Sequence, residues 1–157
     1  MSRASLESAI PAGAGILLDT SVLLAYLEGD EPASGAAALV LDTFVRGGRN
    51  RATISAVSVA ETLVRPSAAG PAALAIAEAF LLHFPGLAVA GVDYAIAREA
   101  ARLRAETGLG TPDALIVATA LGERIPVVVS NDARWRGAIA RGAPELDLVP
   151  LDAHLTA

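Results

Sequence analysis

The chain has 157 residues, 54% of them hydrophobic, 18% charged and none cysteine, with a formal net charge of −5. Such a composition predicts one cytoplasmic domain with a substantial apolar core and excludes disorder, a disulfide framework and a thiolate metal site. It also argues against a spanning helix, since the most apolar stretch, 71–92, is broken at Pro85-Gly86, and its acidity argues against strong electrostatic attraction to nucleic acid.

Residues 1–15, rich in Ser, Ala, Gly and Pro, read as a flexible leader. A buried strand is predicted from Ile16 to Asp19, followed by helices over 20–27 and 33–46, the second stopped by Gly47-Gly48. Residues 52–55 form a weak strand candidate, and 56–65 a helix that Pro66 is expected to end. Further helices fit 71–84, 93–107, 112–122 and 133–141, and strands fit 87–92, 127–130 and 146–149. Strands alternating with helices predict an α/β layer fold with a mostly parallel sheet, in one domain over 16–150 with a C-terminal tail at 151–157.

In such a sheet ligands bind beyond the carboxyl ends of the strands. Four acids stand there or in apolar helices. Asp19 and Asp132 each follow a strand, where an N-cap or a turn explains them as well as a functional role does. Glu61 has Val57, Val59, Ala60, Leu63 and Val64 around it, with Arg65 placed at i+4 for an ordinary helical ion pair. Asp113 follows Thr111-Pro112, the grammar of a helix start, but opens a helix apolar on all sides. Were the four to converge, two carboxylates ~5 Å apart at an effective dielectric of ~20 would repel by roughly 3 kcal/mol. Cations would be needed, and all-oxygen ligands without Cys favour Mg²⁺ or Mn²⁺ over zinc. His83 and His154 are solitary.

The residues 17–23 (Leu-Leu-Asp-Thr-Ser-Val-Leu), 55–61 (Ser-Ala-Val-Ser-Val-Ala-Glu), 112–120 (Pro-Asp-Ala-Leu-Ile-Val-Ala-Thr-Ala) and Ser130-Asn131-Asp132 with Trp135 stand in order. Together they resemble the motifs of PIN-domain ribonucleases, and most of all the VapC-like toxins of type II toxin–antitoxin pairs. The resemblance spans about residues 16–150. It implies a three-layer PIN-like fold, a central parallel sheet of about five strands flanked by helices, with the first and fourth motifs on neighbouring strands. Carried over, Asp19, Glu61, Asp113 and Asp132 become the catalytic and metal-binding acids for one or two Mg²⁺ or Mn²⁺ ions, and Thr20, Ser130 and Asn131 orient a carboxylate or the phosphate. Ser130 stands where the family often has Thr, and Trp135 where it usually has Phe.

The implied activity is metal-dependent endonucleolytic hydrolysis of RNA. The implied partners are the RNA, a small antitoxin that places a basic side chain in the acidic site, and a second copy of the chain. Arg102, Arg104, Arg134 and Arg136 are candidates for a phosphate-contacting rim, or plain surface. A non-catalytic PIN-like RNA- or protein-binding scaffold, with the acids as structural caps, is the alternative. Phosphatases and dehalogenases with an aspartyl nucleophile fit poorly, because Asp19-Thr20-Ser21 lacks their second Asp and the chain contains no Lys.

Overall fold

A computed structural model describes residues 3–154. The chain begins with a short helix, α1 (Arg3–Ala9), and enters the sheet at β1 (Gly15–Leu18). Helix α2 (Thr20–Glu28) follows, then α3 (Ser34–Ala38), which continues as a π-helical stretch over Leu39–Val45. Strand β2 (Arg51–Ser55) leads into α4 (Ala56–Ala69) and α5 (Pro71–His83), and β3 (Leu87–Ala90) into α6 (Tyr94–Thr107) and α7 (Thr111–Gly122). Strand β4 (Val127–Ser130), α8 (Trp135–Gly142), β5 (Asp147–Pro150) and a 3₁₀ turn (Leu151–His154) complete it.

All strand pairs are parallel, in the order β3-β2-β1-β4-β5. Side-chain alternation along the central strands divides the core in two, because successive residues of a strand face opposite sides of the sheet. Ile16, Leu18, Val127 and Val129 join one cluster with α1, α2, α3 and the π-helical stretch. Leu17 and Val128 join the other with α6, α7 and α8. The result is the expected three-layer α/β arrangement. Burial on both faces is why β4 reads as an unbroken Val run.

Two boundaries differ from expectation. Residues 3–9 are not a loose leader: they fold as α1, and Leu6 and Ile10 are fully buried in the first core cluster. Asn50 ties the segment down by donating from Nδ2 to the carbonyls of Pro11 and Ala14, each at 2.8 Å. The tail is anchored too, through buried Leu151 and a 2.7 Å contact between His154 Nδ1 and Ser5 Oγ. Residues 1–2 and 155–157, the rest of the predicted leader and tail, lie outside the described residues. The second difference is Pro66, which sits inside α4 instead of ending it. A proline interrupts only its own N–H bond to residue i−4, and packing against α5 carries the helix on to Gly70, whose φ of 116° ends it.

From β1 the chain builds outward through β2 to β3, then returns to place β4 on the other side of β1. The carboxyl ends of β1 and β4 therefore flank a topological switch point, where a crevice opens in parallel sheets. Asp19 and Asp132 lie just beyond those two ends.

Candidate active site

Asp19 stands at the N-cap of α2 with extended backbone (φ −70°, ψ 155°), yet its side chain makes no capping hydrogen bond. Instead Oδ2 accepts from Ser21 Oγ at 2.6 Å and from Ser130 Oγ at 2.7 Å. Each hydroxyl is oriented in turn by a backbone donor from the loop after β4: Asn131 N–H donates to Ser21 Oγ at 2.9 Å, and Asp132 N–H to Ser130 Oγ at 3.0 Å. A hydroxyl has one proton, so these incoming N–H bonds direct both protons at Asp19. The carboxylate is only 5% exposed. Burial pushes its pKa above the ordinary value, with a further push from the Asp113 charge, against the pull of Ser21, Ser130 and the Thr20 backbone N–H.

Thr20, also buried, donates from Oγ1 to Glu61 Oε2 at 2.6 Å, so α2 holds the acid of α4 in place. Glu61 is an exposed residue, not the buried glutamate that its apolar neighbours suggested. The fully buried residues of α4 are the polar Ser58 and Thr62, with Val57, Val59 and Leu63 packed beside them against the cores, whereas Val64 points outward at 65% exposure. Arg65 does not pair with Glu61; it forms an ion pair with Glu28 on α2.

Asp113 lies in the first turn of α7, half-buried. Burial raises its pKa first, and the Asp132 and Glu61 charges add to the rise, while Arg134 opposes it. The buried Trp135 Nε1–H has no hydrogen-bond partner among the described residues. Asp132 behaves in the opposite way. Its carboxylate accepts from the Arg134 backbone N–H at 2.8 Å and grips the Arg134 guanidinium, which holds its pKa below the usual range. The same guanidinium reaches to 3.9 Å of Asp113 Oδ2. Arg134 thus straddles two of the four acids.

All four predicted acids face one rim at the switch point and are linked by charge or by hydroxyl bridges. Among the described residues, however, no three of them stand close enough to form a ready-made metal shell. The donor set is all oxygen, and Asp19 is a buried carboxylate with no ion-pair partner among the described residues. That chemistry fits a hard divalent cation, provided Arg134 yields its hold on Asp132. Thr20 and Ser130 orient carboxylates through their hydroxyls, whereas Asn131 contributes its backbone N–H.

Of the predicted arginine rim, Arg102 is taken up by Glu99 and Glu106 on its own helix. Arg104 reaches the Leu109 carbonyl at 3.4 Å. Arg141, which sequence reading passed over, lines a cleft beside Asp113 together with Arg134. Only its spacing on α8, seven residues after Arg134 and therefore two helical turns away on one face, could have pointed to it.

The PIN domain family model matches residues 16–139. No curated protein matches the chain by sequence. Among solved structures, VapBC2 from Rickettsia felis, bound to a DNA fragment from its promoter, is 18% identical with a TM-score of 0.64, covering 87% of this chain and 98% of that one. A toxin–antitoxin complex from Klebsiella pneumoniae is 21% identical with a TM-score of 0.63, covering 87% and 97%. The Mycobacterium tuberculosis VapC20 toxin, described as cleaving the sarcin–ricin loop, is 19% identical with a TM-score of 0.64, covering 78% and 94%. At these identities the likeness is one of fold.

Proposed function

Since this chain belongs to the PIN-domain family, we propose that it is a Mg²⁺- or Mn²⁺-dependent endoribonuclease and the toxin of a toxin–antitoxin pair, acting in the cytoplasm. The observation that carries this reading is Asp19, a buried carboxylate at the switch point, held by two hydroxyls and without an ion-pair partner among the described residues. A carboxylate so placed is costly unless a cation completes it. Asp19, with Asp113, Asp132 and Glu61, would hold one or two such ions, which would supply Lewis-acid stabilisation of the phosphate and activation of a water.

The chain's own residues do the rest. Ser21 and Ser130 fix the orientation of Asp19, and Thr20 fixes Glu61. Arg134 balances the charge of Asp132 and Asp113. The net charge of −5 is then less of an obstacle to RNA than composition suggested, since part of it belongs to a rim that cations neutralise.

Partner binding is supported by apolar surface. Val64, Ile76 at 75% exposure and Leu82 stand out on α4 and α5, beside a cleft of about 200 Å³ lined by Val59, Leu63, Leu81 and Val89. Patches of this kind mark interaction surfaces and suit an antitoxin or a second copy of the chain, and two of the structural neighbours are toxin–antitoxin assemblies.

A second reading, a PIN-like scaffold without catalysis, is favoured by the Arg134–Asp132 pair and by the lack of a three-acid cluster among the described residues. Incubating the purified protein with RNA and Mn²⁺ separates the two. The nuclease reading expects cleavage that stops with EDTA and with Asp19→Asn. RNA binding without cleavage supports the scaffold, and cleavage that survives both treatments overturns the metal-site assignment.

A further inference from the structure

We propose that the cleft beside Asp113, between the α6–α7 connection and α8, is a subsite for a backbone phosphate of the RNA, with Arg141 as its principal contact. This inference rests on the ribonuclease reading and adds to it the place where the strand lies next to the cleavage point.

The cleft has a volume of about 130 Å³, and Thr107, Gly108, Gly110, Asp113, Arg134 and Arg141 are among the residues that line it. Its two guanidiniums differ in their commitments. Arg134 is bound to Asp132, whereas Arg141 has no carboxylate partner among the described residues and donates only to the Thr107 carbonyl, at 3.1 Å. A single neutral acceptor leaves most of the five donors of a guanidinium free, and such a planar fork suits phosphate oxygens.

The loop that lines one wall is held in place by its carbonyls. Arg104 and Arg141 hold the carbonyls of Leu109 and Thr107. Gly108 takes a left-handed turn (φ +77°), and the Gly110 N–H has no intramolecular partner among the described residues. Glycines on this wall let a phosphate approach the backbone without meeting a Cβ. An anionic peptide would also suit two guanidiniums, but the cleft opens onto Asp113, one of the acids assigned to the scissile phosphate. A phosphodiester strand crossing that acid places its next phosphate against Arg141.

The test uses the full-length chain carrying Asp19→Asn, so that RNA is bound without being cut. A labelled single-stranded RNA is titrated at fixed low Mg²⁺ and several NaCl concentrations, with anisotropy as readout. Arg141→Gln is expected to weaken binding about tenfold and to flatten the plot of log affinity against log salt by about 0.7, the value of one phosphate contact on a single strand. Arg141→Lys keeps the charge and is expected to keep the slope. Arg98→Gln, exposed on α6 and outside the cleft, is expected to change neither. Equal effects of Arg141→Gln and Arg98→Gln, or none from Arg141→Gln, overturn the subsite while leaving the nuclease reading intact. No RNA binding by the parent chain overturns both.

Discussion

Asp19 and Asp93 occupy the same place in the local grammar of the chain: each follows a strand and stands at the N-cap of the next helix with extended backbone. Asp93, after the edge strand β3, does what an N-cap aspartate ordinarily does. It is exposed, and its Oδ1 accepts from the Ile96 N–H at 2.8 Å. Asp19, after the central strand β1, leaves its helix without a side-chain cap and gives its carboxylate to Ser21 and Ser130. What separates them is position in the sheet. The end of β1 lies beside the end of β4, whose Ser130 joins Ser21 of α2 in supplying competing hydroxyls; the end of β3 has β2 on one side and solvent on the other. An N-cap hydrogen bond is worth about 1 kcal/mol. Forgoing it in a buried site marks a carboxylate committed to something other than helix stability.

The sharpest way to break this contrast is to neutralise each acid in turn. Asp19→Asn is expected to reduce RNA cleavage by about 10³-fold, equivalent to roughly 4 kcal/mol of transition-state stabilisation. Asp93→Asn is expected to leave it within about twofold. A large loss from Asp93→Asn, in a single-turnover assay of the folded variants, would remove the distinction between the two positions.

Next in size is the support of Asp19. Ser130→Ala takes away one of the two hydroxyls on Oδ2, leaving a buried carboxylate short of a donor at a cost of about 1–3 kcal/mol. Thermal denaturation should register the loss, and Mn²⁺ affinity should fall about tenfold, whereas Ser130→Thr restores both.

The pH dependence of stability gives the third comparison. The folded-state pKa of Asp19 is raised above its ordinary 3.8. The folded protein therefore holds the proton more tightly than the unfolded chain, and stability declines as pH rises from about 3.8 through the raised value. Asp19→Asn removes that decline, so it is expected to melt higher than the wild type at pH 7 and to lose this advantage near pH 4. Asp132 has the opposite sign. Its depressed pKa contributes stability that is present above 3.8 and is lost as pH falls through the folded value. Asp132→Asn should therefore lower the melting temperature at pH 7, by a small amount because the Arg134 partner is solvent-screened. Melting curves from about pH 2 to pH 7 decide both signs.

The smallest effect is the cap itself. Asp93→Ala is expected to cost about 1 kcal/mol, or roughly 2–4 °C in melting temperature for a chain of this size, with cleavage unchanged.

Much of this architecture was legible from residue order. The Val127–Val129 run could only be a strand buried on both faces, and the Gly and Pro punctuation placed most helix ends within a residue or two. The α1 helix carries too weak a pattern to read, because Leu6 is its only large apolar residue and Ile10, one turn on, lies just past its end, among Ser, Ala and Gly. Pro66 misled because its neighbours, and not its own dihedral, decide whether a helix continues past it. At the site, residue types and order singled out the four acids, but not their different environments. The local difference between Asp19 and Asp93 is Ser21, two residues on, and the Ser130 that also claims Asp19 is 111 residues away. Likewise Glu61 looked buried because its neighbours are apolar, whereas the helix turns Ser58 and Thr62 inward. The pairing of Arg134 with Asp132 is local, at i+2, but its reach to Asp113 depends on α7 and α8 meeting at one rim.

The central claim, that Asp19 is buried in order to hold a divalent cation, is tested most directly by calorimetric titration of Mn²⁺ into the wild type, Asp19→Asn and Asp93→Asn at neutral pH. Saturable binding by the wild type and Asp93→Asn, abolished in Asp19→Asn, is the predicted result. Equal binding by all three proteins, or none by the wild type, would contradict it.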